Sequence, residues 1–202
     1  MSPVEIATPH GPALAHLHAA DAARAGLVLG HGAGGGVAAR DLVAATKAAV
    51  EERVSVALVE QPYRVAGRKS QAPAKQLDTA WDVVIDQLRG DIFAGLPVIT
   101  GGRSAGARVA CRTAAVTYAA GVLCLAFPVH PPGKPEKTRL GELDAVTVPV
   151  LVIQGESDPF GMPPPAAGRE SVAQPGTHAL TGDLTGLGEA VRAWLARVLA
   201  AD

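Results

Sequence analysis

Cysteine is scarce in this sequence. Only Cys111 and Cys124 occur among its 202 residues, and both lie in apolar segments. No Cys-x-x-Cys pair or other metal-type spacing is present, which excludes the common cysteine-based metal and redox motifs. We expect both thiols to be reduced residues of the core.

An excess of charge and long apolar runs are also missing. The chain has 18 Lys and Arg against 19 Asp and Glu, for a formal net charge of -1 at pH 7. Without a basic surplus, neither nucleic acid nor an anionic membrane is an expected partner. No apolar run approaches the roughly 20 residues of a transmembrane helix, and the first residues lack the pattern of a signal peptide. We therefore expect a cytoplasmic protein.

Glycine and proline are abundant by contrast, with 23 Gly and 16 Pro, and hydrophobic residues make up 48% of the chain. This composition excludes disorder and suits a compact fold with many short connections. The length favours one domain over residues 1–202, and we expect it to be a monomer or a homodimer.

The order of the apolar segments predicts an α/β fold. Short apolar runs followed by Gly, Pro or Asp are typical of central parallel strands, and amphipathic helical patterns alternate with them. Residues 4–6 and 13–18 are expected to form an antiparallel start. The pattern predicts a mostly parallel sheet of about seven or eight strands, with helices on both faces and no large lid. The predicted strands cover 27–29, 54–59, 97–100, 122–126 and 148–153, and the predicted helices cover 41–53, 77–88, 105–119 and 187–199.

The sharpest motif is Gly-Arg-Ser-Ala-Gly at residues 102–106, between a predicted strand and a predicted helix. This is Gly-x-Ser-x-Gly in the context of a nucleophile elbow, where small residues on either side allow a very tight turn. The turn would lift the Ser104 hydroxyl above the sheet and place the Ala105 N–H at a positive helix end. Ser104 is therefore the candidate nucleophile. An incidental serine in a Gly-rich turn is the alternative.

A serine nucleophile needs a base, and the chain order Ser, Asp or Glu, His predicts which residues supply it. His178 follows in a turn-rich stretch before the last helix and is a better base than His130. Asp158 stands just past the last predicted strand, where it could orient His178, with Glu156 as a nearby competitor.

A second oxyanion donor is expected from the loop His-Gly-Ala-Gly-Gly-Gly at residues 31–36. Glycines let the backbone approach a ligand oxygen closely, so we assign Ala33 or Gly34 beside Ala105 to an oxyanion hole. His31 fits a brace for this loop better than a second base. Arg103 and His130 are candidate substrate-binding residues.

The same loop supports a rival function. Gly30, Gly32 and Gly35 satisfy Gly-x-Gly-x-x-Gly after a strand, and Glu60 ends the next strand, as in a dinucleotide-binding site. Against it, two strand candidates precede this one, and the Ser104 motif stays unexplained. His16 and His18 share one strand face but lack a third zinc ligand, so no metal or organic cofactor is expected.

The sequence resembles the α/β-hydrolase superfamily through HGAG, GGRSAG, QGESDPFG and the late PGTH. It looks most like the small lidless subgroup related to dienelactone hydrolases, and it is similar to bacterial relatives of the hydrolase-like domain in a subunit of the non-specific-lethal histone acetyltransferase complex. Pro62-Tyr63 and the loop at residues 128–135 also carry this resemblance.

This resemblance implies a serine hydrolase that acts on a small ester or thioester, with Ser104 as nucleophile, Asp158 as acid and His178 as base. Dienelactone hydrolases use a cysteine nucleophile, so Ser104 departs from that substrate. The expected partner is a small-molecule acyl substrate. Because the eukaryotic relatives work partly as scaffolds, a catalytically inactive interaction protein is the alternative from another functional class.

Overall fold

The computed structural model describes residues 2–200, and its strands and helices alternate along most of the chain. The strands are β1 (Val4–Ile6), β2 (Ala13–His18), β3 (Ala25–Gly30), β4 (Val54–Glu60), β5 (Val98–Arg103), β6 (Val122–Leu125), β7 (Val150–Gly155) and β8 (Arg169–Gln174). The helices are α1 (Arg40–Glu51), α2 (Pro62–Val65), α3 (Ala74–Gly90), α4 (Ala105–Thr113), α5 (Leu140–Asp144) and α6 (Leu184–Val198).

All of these strands join one 8-stranded sheet in the order β1-β2-β4-β3-β5-β6-β7-β8. The first two strands pair antiparallel, and β2 pairs antiparallel with β4. Every other neighbouring pair is parallel. The predicted mostly parallel sheet and its antiparallel start are therefore confirmed.

Both faces of the central strands are buried under helices. In β3, Leu27 and Leu29 pack in the cluster formed with α1 and α6, whereas Val28 points into the cluster formed with α3. This alternation follows from the two-residue period of a strand. Each such leucine or valine contributes about 1.5–3 kcal/mol by its burial, so the runs of apolar residues fix the helices to the sheet.

Two elements differ from the prediction. The edge strand β8 has the sequence Arg-Glu-Ser-Val-Ala-Gln, and three of its six residues are exposed, so no apolar run marked it. Helix α4 ends at Thr113 and not at residue 119, because the chain must turn back to the sheet. The Ala120 N–H already donates to the Val98 carbonyl at the start of β5.

The connection between β6 and β7 contains only loops and the five residues of α5. It has no helix longer than α5 and therefore no large lid, as the sequence predicted. None of the helices in residues 2–200 has the length and apolar character needed to cross a membrane. Cys111 and Cys124 are buried with their sulfur atoms 3.5 Å apart, which confirms their predicted place in the core.

The carboxyl ends of the parallel strands meet at one edge of the sheet. Loops after β3, β5, β7 and β8 all begin there, and they carry the residues singled out in the sequence. In open α/β sheets, ligands bind outside this edge.

Candidate active site

Ser104 occupies the tight turn between β5 and α4. Its backbone has φ 51° and ψ −106°, a strained conformation for a residue with a side chain. The Ser104 N–H donates to the Leu125 carbonyl at the end of β6 over 2.8 Å, which holds the turn against the sheet. Strain maintained by its surroundings is typical of functional sites.

Gly102 and Gly106 make this turn sterically possible. A Cβ atom on Gly102 would lie 2.4 Å from the Gly30 carbonyl oxygen, and one on Gly106 would lie 2.3 Å from the same atom. Both contacts are with backbone, which cannot rotate away as a side chain can. The end of β3 therefore lies directly against the turn that carries Ser104.

Ser104, His178 and Asp158 form a continuous hydrogen-bonded chain. His178 Nε2 lies 2.8 Å from Ser104 Oγ, and His178 Nδ1 lies 2.8 Å from Asp158 Oδ2. The Asp158 side chain is 1% exposed and that of His178 is 17% exposed. Because a carboxylate only accepts, Nδ1 carries the proton and Nε2 faces the serine hydroxyl as an acceptor.

Several groups hold Asp158 in place. Gln154 Nε2 donates to Asp158 Oδ2 over 2.7 Å, and the Phe160 N–H donates to Oδ1 over 2.9 Å. Gln154 is itself buried, and its amide also donates to the Phe127 carbonyl at 3.1 Å. The competing acid Glu156 is exposed, so the structure brings Asp158 and not Glu156 to the histidine.

His178 is held from two sides. The Phe160 ring stacks on its imidazole with the ring centroids 4.1 Å apart. Arg103 donates to the His178 carbonyl oxygen over 3.1 Å and, through Nε, to Asp41 Oδ2 over 2.9 Å. Burial raises the pKa of Asp41, and the guanidinium of Arg103 opposes that shift. The Arg103 guanidinium is thus already engaged by protein groups.

The loop predicted to hold the oxyanion is braced by aromatic side chains. The Tyr63 hydroxyl donates to the Ala33 carbonyl over 3.1 Å. His31 Nε2 accepts from the Gln61 N–H at 3.2 Å, so the proton sits on Nδ1, which faces the Gly32 carbonyl at 2.8 Å. The predicted role of His31 as a brace agrees with these contacts.

The predicted oxyanion donors lie around the same edge. Gly34 is exposed and Ala33 is partly exposed, both in the loop after β3. Ala105 is the first residue of α4, and the first N–H groups of a helix have no acceptor within that helix. The end of β3 contacts the turn that carries Ser104. The loop after β3 and the N-terminus of α4 therefore lie on the same side of Ser104.

His130 does not join the Ser104–His178 pair in any described hydrogen bond. Its backbone N–H donates to the Phe160 carbonyl over 3.1 Å, and its Nδ1 lies 2.9 Å from the Pro131 carbonyl oxygen. It therefore packs against the turn that carries Asp158. The substrate-binding role predicted for His130 has no direct support in this position.

The dinucleotide and zinc sites considered from the sequence have fewer of their expected residues in place. Glu60, the expected ribose-binding acid, lies 3.1 Å from His16 Nε2 at the side of the sheet where β2 and β4 pair. Residues 2–200 hold no group of three or more His, Cys, Asp or Glu suited to a metal ion.

Sequence reasoning missed three supporting residues: Gln154, Phe160 and Asp41. Gln154 was the easiest of them to predict from the sequence. A glutamine near the end of an otherwise apolar strand is a buried polar group that needs hydrogen-bond partners. Phe160 and Asp41 come from separate loops or helices, and only the folded chain shows which groups they meet.

The chain belongs to the alpha/beta hydrolase domain family, whose model matches residues 23–182. The fold is accordingly the α/β-hydrolase fold. No curated protein matches the chain in sequence.

Solved structures of similar fold include lidless and dienelactone-hydrolase proteins. XC6422 from Xanthomonas campestris, described as a serine hydrolase without lid, is 18% identical with a TM-score of 0.78, over 97% of this chain and 94% of that one. Est1E from Butyrivibrio proteoclasticus is 16% identical with a TM-score of 0.78, over 99% and 100%. A dienelactone hydrolase from Anabaena variabilis is 17% identical with a TM-score of 0.76, over 98% and 99%.

The contact between Gly106 and the Gly30 carbonyl predicts that Gly106→Ala is destabilising. The added methyl would lie 2.3 Å from that oxygen, so we expect the free energy of unfolding to fall by about 1–3 kcal/mol. Gly90→Ala is the control, because a Cβ on Gly90 meets nothing within 4 Å. Urea denaturation measures both. Equal stability of the two variants would contradict the proposed close contact.

Burial lowers the pKa of His31 below its ordinary value of 6.5. The unfolded chain therefore protonates His31 at a higher pH than the folded chain does. As a result, the free energy of unfolding falls as the pH drops below 6.5. We expect wild type to lose more stability between about pH 7.5 and about pH 5.5 than His31→Gln does. Urea denaturation at both pH values tests this. The same loss in both proteins would show that His31 does not contribute.

Proposed function

We propose that the protein is a serine hydrolase that cleaves a small ester or thioester through an acyl-enzyme on Ser104. The observation that carries this proposal is the hydrogen-bonded chain from Ser104 Oγ through His178 to the buried Asp158, with both distances at 2.8 Å. The strained turn at Ser104 supports it, because backbone strain of this kind is concentrated at active sites.

In the first half of the reaction, Ser104 Oγ attacks the acyl carbonyl while His178 Nε2 accepts the hydroxyl proton. Asp158 stabilises the imidazolium that forms and keeps the ring oriented. The Ala105 N–H, with that of Ala33 or Gly34, would hold the negative oxygen of the tetrahedral intermediate. His178 then gives its proton to the leaving oxygen or sulfur as the bond to the acyl carbon breaks.

In the second half, water attacks the acyl-enzyme and His178 takes one of its protons. The tetrahedral intermediate breaks down, the proton passes from His178 to Ser104 Oγ, and the carboxylic acid leaves. Water can reach His178 for this step, since its side chain is 17% exposed.

Arg103 fits a positioning residue better than the substrate-binding role predicted from sequence. Its guanidinium joins the N-terminal end of α1, through Asp41, to the carbonyl of His178. A fixed main chain at His178 keeps Nε2 near the serine, and small displacements of a base are costly to catalysis.

The proposed function is tested by hydrolysis of p-nitrophenyl acetate. Ser104→Ala removes the nucleophile, so we expect kcat to fall by about a thousandfold or more. Ser171→Ala is the matched control, since Ser171 is exposed on the edge strand β8. Equal rates for wild type and Ser104→Ala, or no turnover by either, would contradict the proposal and favour the scaffold alternative.

The positioning role of Arg103 predicts a specific kinetic change. A lysine keeps the charge but cannot reach both Asp41 and the His178 carbonyl, so Arg103→Lys is expected to lower kcat by about tenfold with KM nearly unchanged. The control is Arg112→Lys, because Arg112 is also ion-paired and its side chain is equally exposed, at 18%. A rise in KM at constant kcat would instead indicate substrate binding by Arg103.

A further inference from the structure

A crevice opens beside the proposed oxyanion donor Ala105. Its walls come from the ends of β3 and β4, from α3 and from the first turns of α4. It encloses about 260 Å³ including its open mouth. Gly30, Leu77, Trp81, Ala105 and Val109 line it, and the exposed Gln71 lies at its mouth.

This crevice and His178 lie on opposite sides of Ser104. Ser104 follows β5, the crevice is walled by the ends of β3 and β4, and His178 follows β8. In the sheet, β3 and β4 lie on one side of β5, while β6, β7 and β8 lie on the other. A substrate carbonyl bound at Ser104 therefore has a histidine side and a crevice side.

The chemistry assigns the two substituents of that carbonyl to these sides. The leaving oxygen or sulfur must face His178 Nε2, because that atom returns the proton to it. The acyl chain then extends toward the opposite side of Ser104, where the crevice lies next to Ala105.

The wall of the crevice is apolar and suits a hydrocarbon group. Leu77, Trp81 and Val109 are buried apolar residues that line it. Most polar groups nearby are committed elsewhere: the Tyr63 hydroxyl donates to Ala33, and both ring nitrogens of His31 face backbone groups. Gln61 Oε1 and Trp81 Nε1 have no hydrogen-bond partner among residues 2–200, but both atoms are sealed from solvent and cannot touch an entering chain.

The crevice is also narrow. The edge of the Trp81 ring lies 3.2 Å from where a Cβ on Gly30 would be, so the indole closes the inner side. The space inside admits no more than about one water-sized group, which is comparable to a methyl group. Longer chains would have to displace buried side chains.

We infer that this crevice is the acyl-binding subsite and that it restricts the enzyme to esters or thioesters of short, unbranched carboxylic acids such as acetate. The inference rests on the proposed function and names its substrate class. Leu77, Trp81 and Val109 are then specificity-determining residues that set the depth of the subsite.

The test compares p-nitrophenyl acetate with p-nitrophenyl hexanoate. Wild type is expected to favour the acetate in kcat/KM by at least about tenfold, since a single methylene in a tight apolar pocket is worth that much. Leu77→Ala enlarges the crevice and is expected to shift this ratio by about tenfold toward the hexanoate. Leu88→Ala, on the same helix and in the same cluster but outside the crevice, should leave the ratio within about twofold of wild type.

A second pair of variants keeps the test decisive if the leucine variants misfold. Val109→Ala also widens the crevice, and Val84→Ala removes the same atoms from the same cluster elsewhere. Ser104-dependent hydrolysis with no change of ratio in Leu77→Ala and Val109→Ala would overturn the acyl subsite while leaving the proposed function intact. Absence of any Ser104-dependent hydrolysis would instead refute the proposed function, and the subsite with it.

Discussion

The site depends on one backbone contact, in which the carbonyl of Gly30 lies against Gly102 and Gly106. Side chains at either glycine would push the end of β3 away from the turn between β5 and α4. Because these glycines allow the contact, Ser104 is held in its strained conformation with α4 starting directly after it. The same contact brings the loop at residues 31–36 toward Ala105, and the crevice forms where the ends of β3 and β4 meet α3 and α4.

The remaining groups divide by polarity around Ser104. On one side, polar contacts fix the geometry: Gln154 holds Asp158, and Arg103 holds the main chain of His178. Burying a carboxylate is costly unless it is hydrogen-bonded, and Asp158 is satisfied by Gln154, His178 and the Phe160 N–H. On the other side, Leu77 and Trp81 form the apolar wall of the crevice. A polar proton-transfer side and an apolar crevice fit the proposed acyl transfer from a substrate with an apolar acyl group.

The central strands and the chain order of the candidate catalytic residues could be predicted from the sequence, because there the local pattern agrees with the tertiary structure. Apolar runs covered on both faces marked the central strands, and the spacing of Ser104, Asp158 and His178 follows the order of strands at one sheet edge. Strand β8 could not be predicted, since an exposed edge strand has no need of an apolar run. The engagement of Arg103 was also hidden, because its partner Asp41 lies 62 positions away in another element. Arginine in a motif beside a nucleophile suggests substrate binding, and only the fold shows that protein groups already occupy it.

We propose that Ser104 is an activated nucleophile and not an incidental serine in a tight turn. The most direct measurement is labelling of the intact protein with a fluorophosphonate, followed by mass spectrometry of the peptides. We expect one adduct per chain, on Ser104, formed at a rate that falls sharply in His178→Ala because the base is lost. An unlabelled Ser104, or labelling at the same rate without His178, would contradict it.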